Sequence, residues 1–152
     1  MININYKIIN GDIVRKYYLF DINKEFYDVY KKNSYVLYKT LENLYNLKKE
    51  NVKYGVTLFK QICNIIDKNY IHNLYSEYIR INNDKYLINE NKEESVVTVR
   101  NPYILYNTNM NFPPSMGKIY TANKFIFVVD FKNEDYFWLE DHIVLKSKYT
   151  LI

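Results

Sequence analysis

Hydrophobic positions in the first part of the chain predict a strand that leads into a helix. Residues 17–22 form an apolar run that is too short for a helix and rich in strand formers, so we expect a buried or half-buried strand. Asn23 follows as a good N-cap, and residues 24–32 are predicted to be helical, with lysines in the last turn. Phe26 and Tyr30 are four residues apart and therefore share one face of that helix.

Three further helices are predicted before residue 80. They cover Ser34–Tyr45, Val52–Asp67 and Ile71–Ile79, each with apolar residues at helical spacing, and Gly55 weakens the start of the second. The apolar stripe of the first contains Leu37, Leu41, Leu44 and Tyr45. The stripe of the second contains Val56, Phe59, Ile62, Cys63 and Ile66.

The second half of the chain changes to the periodicity of strands. Lys85–Ile88 and Ser95–Val99 predict a hairpin with a polar loop at 89–94, and Tyr103–Tyr106 is a candidate strand. Phe125–Phe131 is apolar on both faces, as a central strand of a covered sheet should be, and 136–139 returns beside it. At the N-terminus, Asn10-Gly11 favours a tight turn between two strands.

These elements predict an α/β or α+β protein of one domain spanning residues 1–152. Its mixed sheet is built from both ends of the chain, and its four or so helices lie mostly in the first half. Residues 1–14 are expected to form a hairpin extension, and residues 140–152 a tail or an edge strand. Pro113-Pro114 is expected to open a short helical turn through Tyr120.

Composition supports a folded protein and argues against several functional classes. Hydrophobic residues make up 48% of the chain, which is enough for a core and excludes disorder. The net charge is +4 and the charges are interspersed, whereas a nucleic-acid-binding protein would more often carry a concentrated basic stripe. The single cysteine, Cys63, fits a reducing compartment, so we expect a cytoplasmic protein. No apolar run is long enough for a membrane span.

Residues with catalytic or ligand-binding potential are isolated in the sequence. The three glycines form no phosphate-binding loop, and His72, His142 and Cys63 lack the short spacings of metal sites. Asp130 ends the apolar strand, where α/β enzymes often place an acid, but closing the turn that follows is the favoured role. Cys63 is expected to be a small buried hydrophobe and Trp138 a core residue. We therefore expect no enzyme activity, cofactor or metal.

Two separated patterns resemble a known family. The first is Tyr17-Tyr18-x-x-x-Ile22-x-Lys24-Glu25-Phe26-x-x-x-Tyr30, followed by Leu37, Tyr45 and Asn51-Val52-Lys53-Tyr54. The second is Phe127-Val128-Val129-Asp130-Phe131-Lys132-Asn133-x-x-Tyr136-x-Trp138-Leu139. Together they make residues 15–139 similar to the SirA family, the small sporulation inhibitors of replication in endospore-forming bacteria. Residues 1–14 would be an extension over the shorter members, and Tyr103–Asn123 departs from the regular helix expected before the last hairpin.

The resemblance implies a function without catalysis. SirA-like proteins bind the N-terminal domain of the replication initiator DnaA and prevent its productive assembly at the chromosome origin. The family's contact residues fall on Phe26 and Tyr30 in the first helix, and on Asn51 and Tyr54 at the start of a later one. Asn51 departs from the family, which more usually has a longer amide there. We expect a monomer that binds one DnaA domain, without membrane or direct nucleic-acid contact.

Other interpretations of the same residues remain open at this stage. From periodicity alone, Phe26 and Tyr30 would be ordinary core residues, and Phe26 could serve both roles. A small inhibitor from a phage or mobile element, directed at a host protein or nuclease, would have a similar composition. A nucleic-acid-binding domain could use tyrosine stacking with lysine and arginine, and its binding would fall steeply with salt, unlike that of an aromatic protein interface.

Overall fold

The computed structural model of the chain describes residues 15–47 and 49–143. Within them, one sheet has the strand order β2-β3-β4-β5-β1-β6-β7, and every neighbouring pair is antiparallel. The strands are Arg15–Asp21 (β1), Ile79–Arg80 (β2), Lys85–Glu90 (β3), Glu93–Val99 (β4), Tyr103–Thr108 (β5), Ile126–Asp130 (β6) and Asp135–Trp138 (β7). The helices are Lys24–Tyr30 (α1), Ser34–Tyr45 (α2), Val52–Ile62 (α3), Lys68–Leu74 (α4) and Ile119–Ala122 (α5), with 3-10 turns at Lys49–Asn51 and Pro114–Lys118.

Strand β1 lies inside the sheet, between β5 and β6. Residues 17–20 are all buried, which is possible only for a strand that is covered on both faces. Side chains alternate between the two faces. Tyr18 and Phe20 therefore lie in one hydrophobic cluster, while Tyr17 and Leu19 lie in the other. The apolar run predicted from the sequence is thus the strand around which both cores form.

Helices cover the two faces of the sheet in separate layers. Leu37 and Leu41 of α2 and Ile62 of α3 pack in the cluster that contains Phe20, and α1 lies against the same cluster. Ile71 of α4 and Ile119 of α5 pack in the cluster that contains Leu19. No helix within 15–47 or 49–143 is long and apolar enough to cross a membrane.

The structure confirms the predicted α/β class in a single body, but it corrects two features. The sheet is antiparallel rather than mixed, because the helices after β1 lead to a distant hairpin instead of crossing over to a parallel neighbour. The predicted concentration of helices in the first half is also corrected, because helical segments occur at 114–122 and 139–143. The hairpin predicted for 1–14 and the end of the tail, 144–152, lie outside the described residues.

Several element boundaries differ from the predicted ones for local reasons. Helix α3 ends at Ile62 rather than Asp67, because Cys63 becomes extended and pairs with Ile22 at the end of β1. Helix α4 begins earlier than predicted, because the Asp67 side chain accepts a hydrogen bond from the amide of Tyr70 and caps it. The β3–β4 turn contains only Asn91-Lys92, both with positive φ, so the strands extend into the predicted loop.

Candidate protein-binding surface

Asn23 fixes the start of α1 against the end of α3. Its side-chain oxygen accepts a hydrogen bond from the amide of Phe26 at 3.0 Å, which is the predicted N-cap. Its backbone amide donates to the carbonyl of Ile62 at 2.9 Å, and its side-chain amide donates to the carbonyl of Gln61. The first turn of α1 is therefore held by three bonds made by one residue.

Phe26 and Tyr30 stack on the flank of α1. Their ring centroids are 6.0 Å apart and their planes are inclined by 12°. Both rings are half-buried and pack against the core cluster of this sheet face, and α1 has no fully buried residue. Val29 is three residues from Phe26, so it neighbours that ring on the helix surface, and it is 68% exposed. We call Phe26, Val29 and Tyr30 the α1 patch; it is partly core and partly surface.

Tyr27 anchors α1 to the sheet. The α1 patch is not part of this anchor. The Tyr27 ring lies 4.3 Å from that of Phe125 and 4.9 Å from that of Trp138. Its hydroxyl donates a hydrogen bond to Glu140. Burial is the larger cause and this hydrogen bond the second of a rise in the pKa of Tyr27 to about 12. Lys31 at the C-cap forms an ion pair with Glu140 at 2.8 Å, so both ends of α1 are fixed.

Asn51 and Tyr54 lie at the other end of α3. Asn51 is exposed, ends the 3-10 turn and makes no side-chain capping bond to the helix. Tyr54 is 63% exposed, and neither a hydrogen bond nor a ring contact joins it to another of the described residues. A tyrosine that is mostly exposed on a helix contributes little to core packing, so its substitution should change stability little. Its ring and hydroxyl are available to a partner.

The four residues named from the sequence form two pairs. Phe26 contacts Tyr30, and Asn51 lies within one turn of Tyr54. Helix α3 connects the two pairs, because its C-terminal end is hydrogen-bonded to Asn23 at the start of α1. Along the axis of α3, Tyr54 lies about 12 Å from Ile62. Both pairs belong to the helical layer on one face of the sheet. We call Phe26, Tyr30, Asn51 and Tyr54 the aromatic surface.

The same helical layer exposes apolar residues that sequence reasoning did not select. Val29 is one, and Tyr35 and Val36 of α2 are others. Each lies off the apolar stripe of its own helix, which is the signal that could have identified them. Two residues assigned to stripes are also partly exposed. Tyr45 lies at the rim of the core, and its hydroxyl is 2.9 Å from the hydroxyl of Tyr18. Val56 lies beside a small apolar groove.

The residues that could in principle act in catalysis or ligand binding, Asp130 and Cys63, have structural roles, and so does Trp138. Asp130 is buried, and its carboxylate accepts hydrogen bonds from Arg15 at 2.9 Å and from the side chain of Asn133 at 2.7 Å, which confirms its role in closing the turn. Trp138 is a core residue, as predicted. Cys63 is buried, and burial raises the pKa of its thiol to about 12. Among the described residues, no group of three or more histidine, cysteine, aspartate or glutamate side chains could hold a metal ion.

Comparisons with known proteins do not add a family to this description. No protein-family model matches the chain, and no curated protein matches it as a relative. The resemblance to the SirA family therefore stays a prediction from the sequence patterns.

Proposed function

We propose that this protein is a non-enzymatic inhibitor of chromosome replication that binds the N-terminal domain of DnaA through the aromatic surface. By occupying that domain, one copy would prevent one DnaA molecule from assembling productively at the origin during sporulation, in the cytoplasm. The observation that carries the proposal is the exposure of Tyr54, together with the stacked Phe26–Tyr30 pair in the same helical layer.

The residue types of the aromatic surface are those that dominate protein interfaces. Tyrosine combines a large apolar ring with a polar tip, and truncating a central aromatic residue often costs more than 2 kcal/mol of binding energy. Helix α1 is capped by Asn23 and anchored by Tyr27, so its aromatic pair is held in place before binding. A preorganised surface loses less conformational entropy when it binds.

The identity of the partner is supported by the resemblance alone. The patterns at 17–54 and 127–139 coincide with β1, α1 and the start of α3, and with β6 and β7. These elements are neighbours in the structure, since β1 pairs with β6 and Trp138 packs against Tyr27. The two halves of the resemblance therefore meet in one region of the fold. A phage-type inhibitor of another host protein would use the same surface, and binding distinguishes the two.

Titration of the purified full chain against the isolated N-terminal domain of DnaA from the same organism tests the proposal. We expect saturable one-to-one binding that changes little between about 0.1 M and 0.5 M salt, because aromatic contacts are screened far less than phosphate contacts. Tyr54→Ala should weaken binding by about 2 kcal/mol, or about 30-fold, with little change in thermal stability. Val29→Lys should weaken it as well.

Matched substitutions elsewhere provide the controls. Tyr70→Ala alters a partly exposed tyrosine on the opposite face of the sheet, and Ile79→Lys alters an exposed residue on the edge strand β2. Both variants should bind like the unchanged protein. The absence of binding at micromolar concentrations, or equal losses in Tyr54→Ala and Tyr70→Ala, would overturn the proposal. Binding that collapses at higher salt would show an interface dominated by charged pairs, which would contradict an aromatic contact surface.

A further inference from the structure

A cavity of about 180 Å³ lies between the sheet and helices α4 and α5. Leu19, Ile104 and Ile126 from three adjacent strands and Ile71 and Ile119 from the two helices form its aliphatic part, and polar side chains line the rest. An apolar cavity of about 150 Å³ in a protein can hold benzene, so this volume accommodates an organic ligand of about six heavy atoms. It lies on the face of the sheet opposite to α1–α3.

Asp21, the last residue of β1, brings a carboxylate to this apolar cavity. Its Oδ1 accepts hydrogen bonds from the side-chain amides of Asn64, at 3.0 Å, and Asn123. Its Oδ2 receives no hydrogen bond from the described residues, and none of their lysine or arginine side chains forms an ion pair with it. Burial raises the pKa of Asp21, and the two amides only partly oppose that effect. Within residues 15–47 and 49–143, the half-buried carboxylate thus has one oxygen without a hydrogen bond and no cationic partner.

The groups around Asp21 make the cavity attractive to cations. Asp67 also lines it, and no lysine, arginine or histidine among the described residues does so, although the chain has a net charge of +4. Asp67 is exposed, and its Oδ1 caps α4 through the amide of Tyr70 at 3.2 Å, whereas Asp21 is half-buried. Asn123 is fixed in turn, because its oxygen accepts a hydrogen bond from the amide of Phe125. The half-buried acceptor for a ligand is therefore on Asp21.

We propose that this cavity binds a small aliphatic primary amine, with its ammonium group on the Asp21 carboxylate and its alkyl group against the leucine and isoleucine walls. The ammonium supplies the charge-assisted hydrogen bonds that Oδ2 lacks. The branched alkyl chain matches the size and polarity of the walls. This site is separate from the aromatic surface, so the inference does not depend on the proposed function.

The test is a titration of the full chain with 3-methylbutylamine, monitored by NMR of the methyl groups. The control ligand is 3-methylbutan-1-ol, which has the same size and no charge. We expect saturable shifts of the Leu19, Ile104 and Ile126 methyl groups with the amine, and binding of the alcohol weaker by about tenfold or more, because a hydrogen bond to a charged group is lost. Asp21→Asn should weaken amine binding by a similar factor. Asp28→Asn, an exposed aspartate on α1, should not.

Each outcome of this titration decides the proposal. Equal affinity for amine and alcohol, no binding of either, or unchanged amine affinity in Asp21→Asn would overturn it. If Asp21→Asn does not fold, the comparison of amine and alcohol on the unchanged protein remains decisive. The alkylammonium group could come from a free amine or from a lysine side chain of a protein. A parallel titration with Nα-acetyl-lysine methylamide, which mimics the lysine, compares these two sources. Weaker binding of this derivative supports a free amine, and tighter binding would overturn that choice in favour of a protein lysine.

Discussion

Tyr30 and Tyr54 carry the same side chain in different environments, so their removal has different consequences. Tyr30 stacks on Phe26 and packs against the core, whereas Tyr54 is 63% exposed and has no ring contact among the described residues. Truncating Tyr30 would therefore lower stability as well as binding. Tyr54 is the cleaner probe of a partner.

The stacking of Phe26 on Tyr30 could be predicted from the sequence, but its exposure could not. A spacing of four residues places two rings on one helix face whatever surrounds the helix. Whether that face is covered depends on Tyr27, whose contacts with Phe125 and Trp138 join residues about a hundred positions apart in the chain. Periodicity contains no information about contacts of that range.

His72 should make stability depend on pH. Arg80 donates to its Nε2 at 3.3 Å and Nδ1 is bonded to the Tyr86 hydroxyl, an arrangement that a neutral ring with its proton on Nδ1 satisfies. Burial lowers the pKa of His72, and the positive charges of Arg80 and Lys68 lower it further, against the opposing effect of Asp84. Because the folded pKa lies below the unfolded one, this stability is present above the unfolded pKa and is lost as the pH falls toward the folded value.

Chemical unfolding at about pH 7.5 and about pH 5.5 measures this effect. The unchanged protein should lose more stability between the two pH values than His72→Gln, which has no ring to protonate. If His72→Gln and the unchanged protein lose the same amount, the histidine is not coupled to folding.

At the scale of elements, helix α2 shows how well a strong pattern specifies structure. Its bounds match the prediction from the stripe of leucines, and Leu37 and Leu41 are fully buried. Helix α3 was predicted less well, since Gly55 lowers helix propensity and the helix ends early. A Cβ at Gly55 would lie 2.7 Å from a methyl carbon of Leu47, so α3 packs closely on the side chain of the preceding loop.

Removing a core side chain from α2 should destabilise the whole fold. Leu41→Ala leaves a cavity between α2 and the sheet, and we expect the free energy of unfolding to fall by about 2–5 kcal/mol. Val36→Ala, a partly exposed residue on the same helix, should change it by about 0.5 kcal/mol or less. Urea denaturation of both variants measures the difference. Similar values for the two would show that α2 does not pack as described.

At the scale of the whole molecule, the sheet explains why topology escaped prediction. The hairpins β3–β4 and β6–β7 join neighbours in sequence, and turn residues indicate them. The position of β1 between β5 and β6 depends on pairings across about eighty to a hundred and ten residues, which no local pattern encodes. The class of the fold therefore followed from the order of elements, while the antiparallel register and the cavity at Asp21 required the structure.

We propose that the helical layer at α1 and the start of α3 is a protein-binding surface for DnaA. Mapping the residues of this chain that contact DnaA is the most direct test. Hydrogen exchange of the full chain would be measured with and without the N-terminal domain of DnaA. The account predicts slower exchange at 24–30 and 51–54, with no change at the edge strand 79–80. Slower exchange confined to other parts of the chain, or no change anywhere at saturating partner, would contradict it.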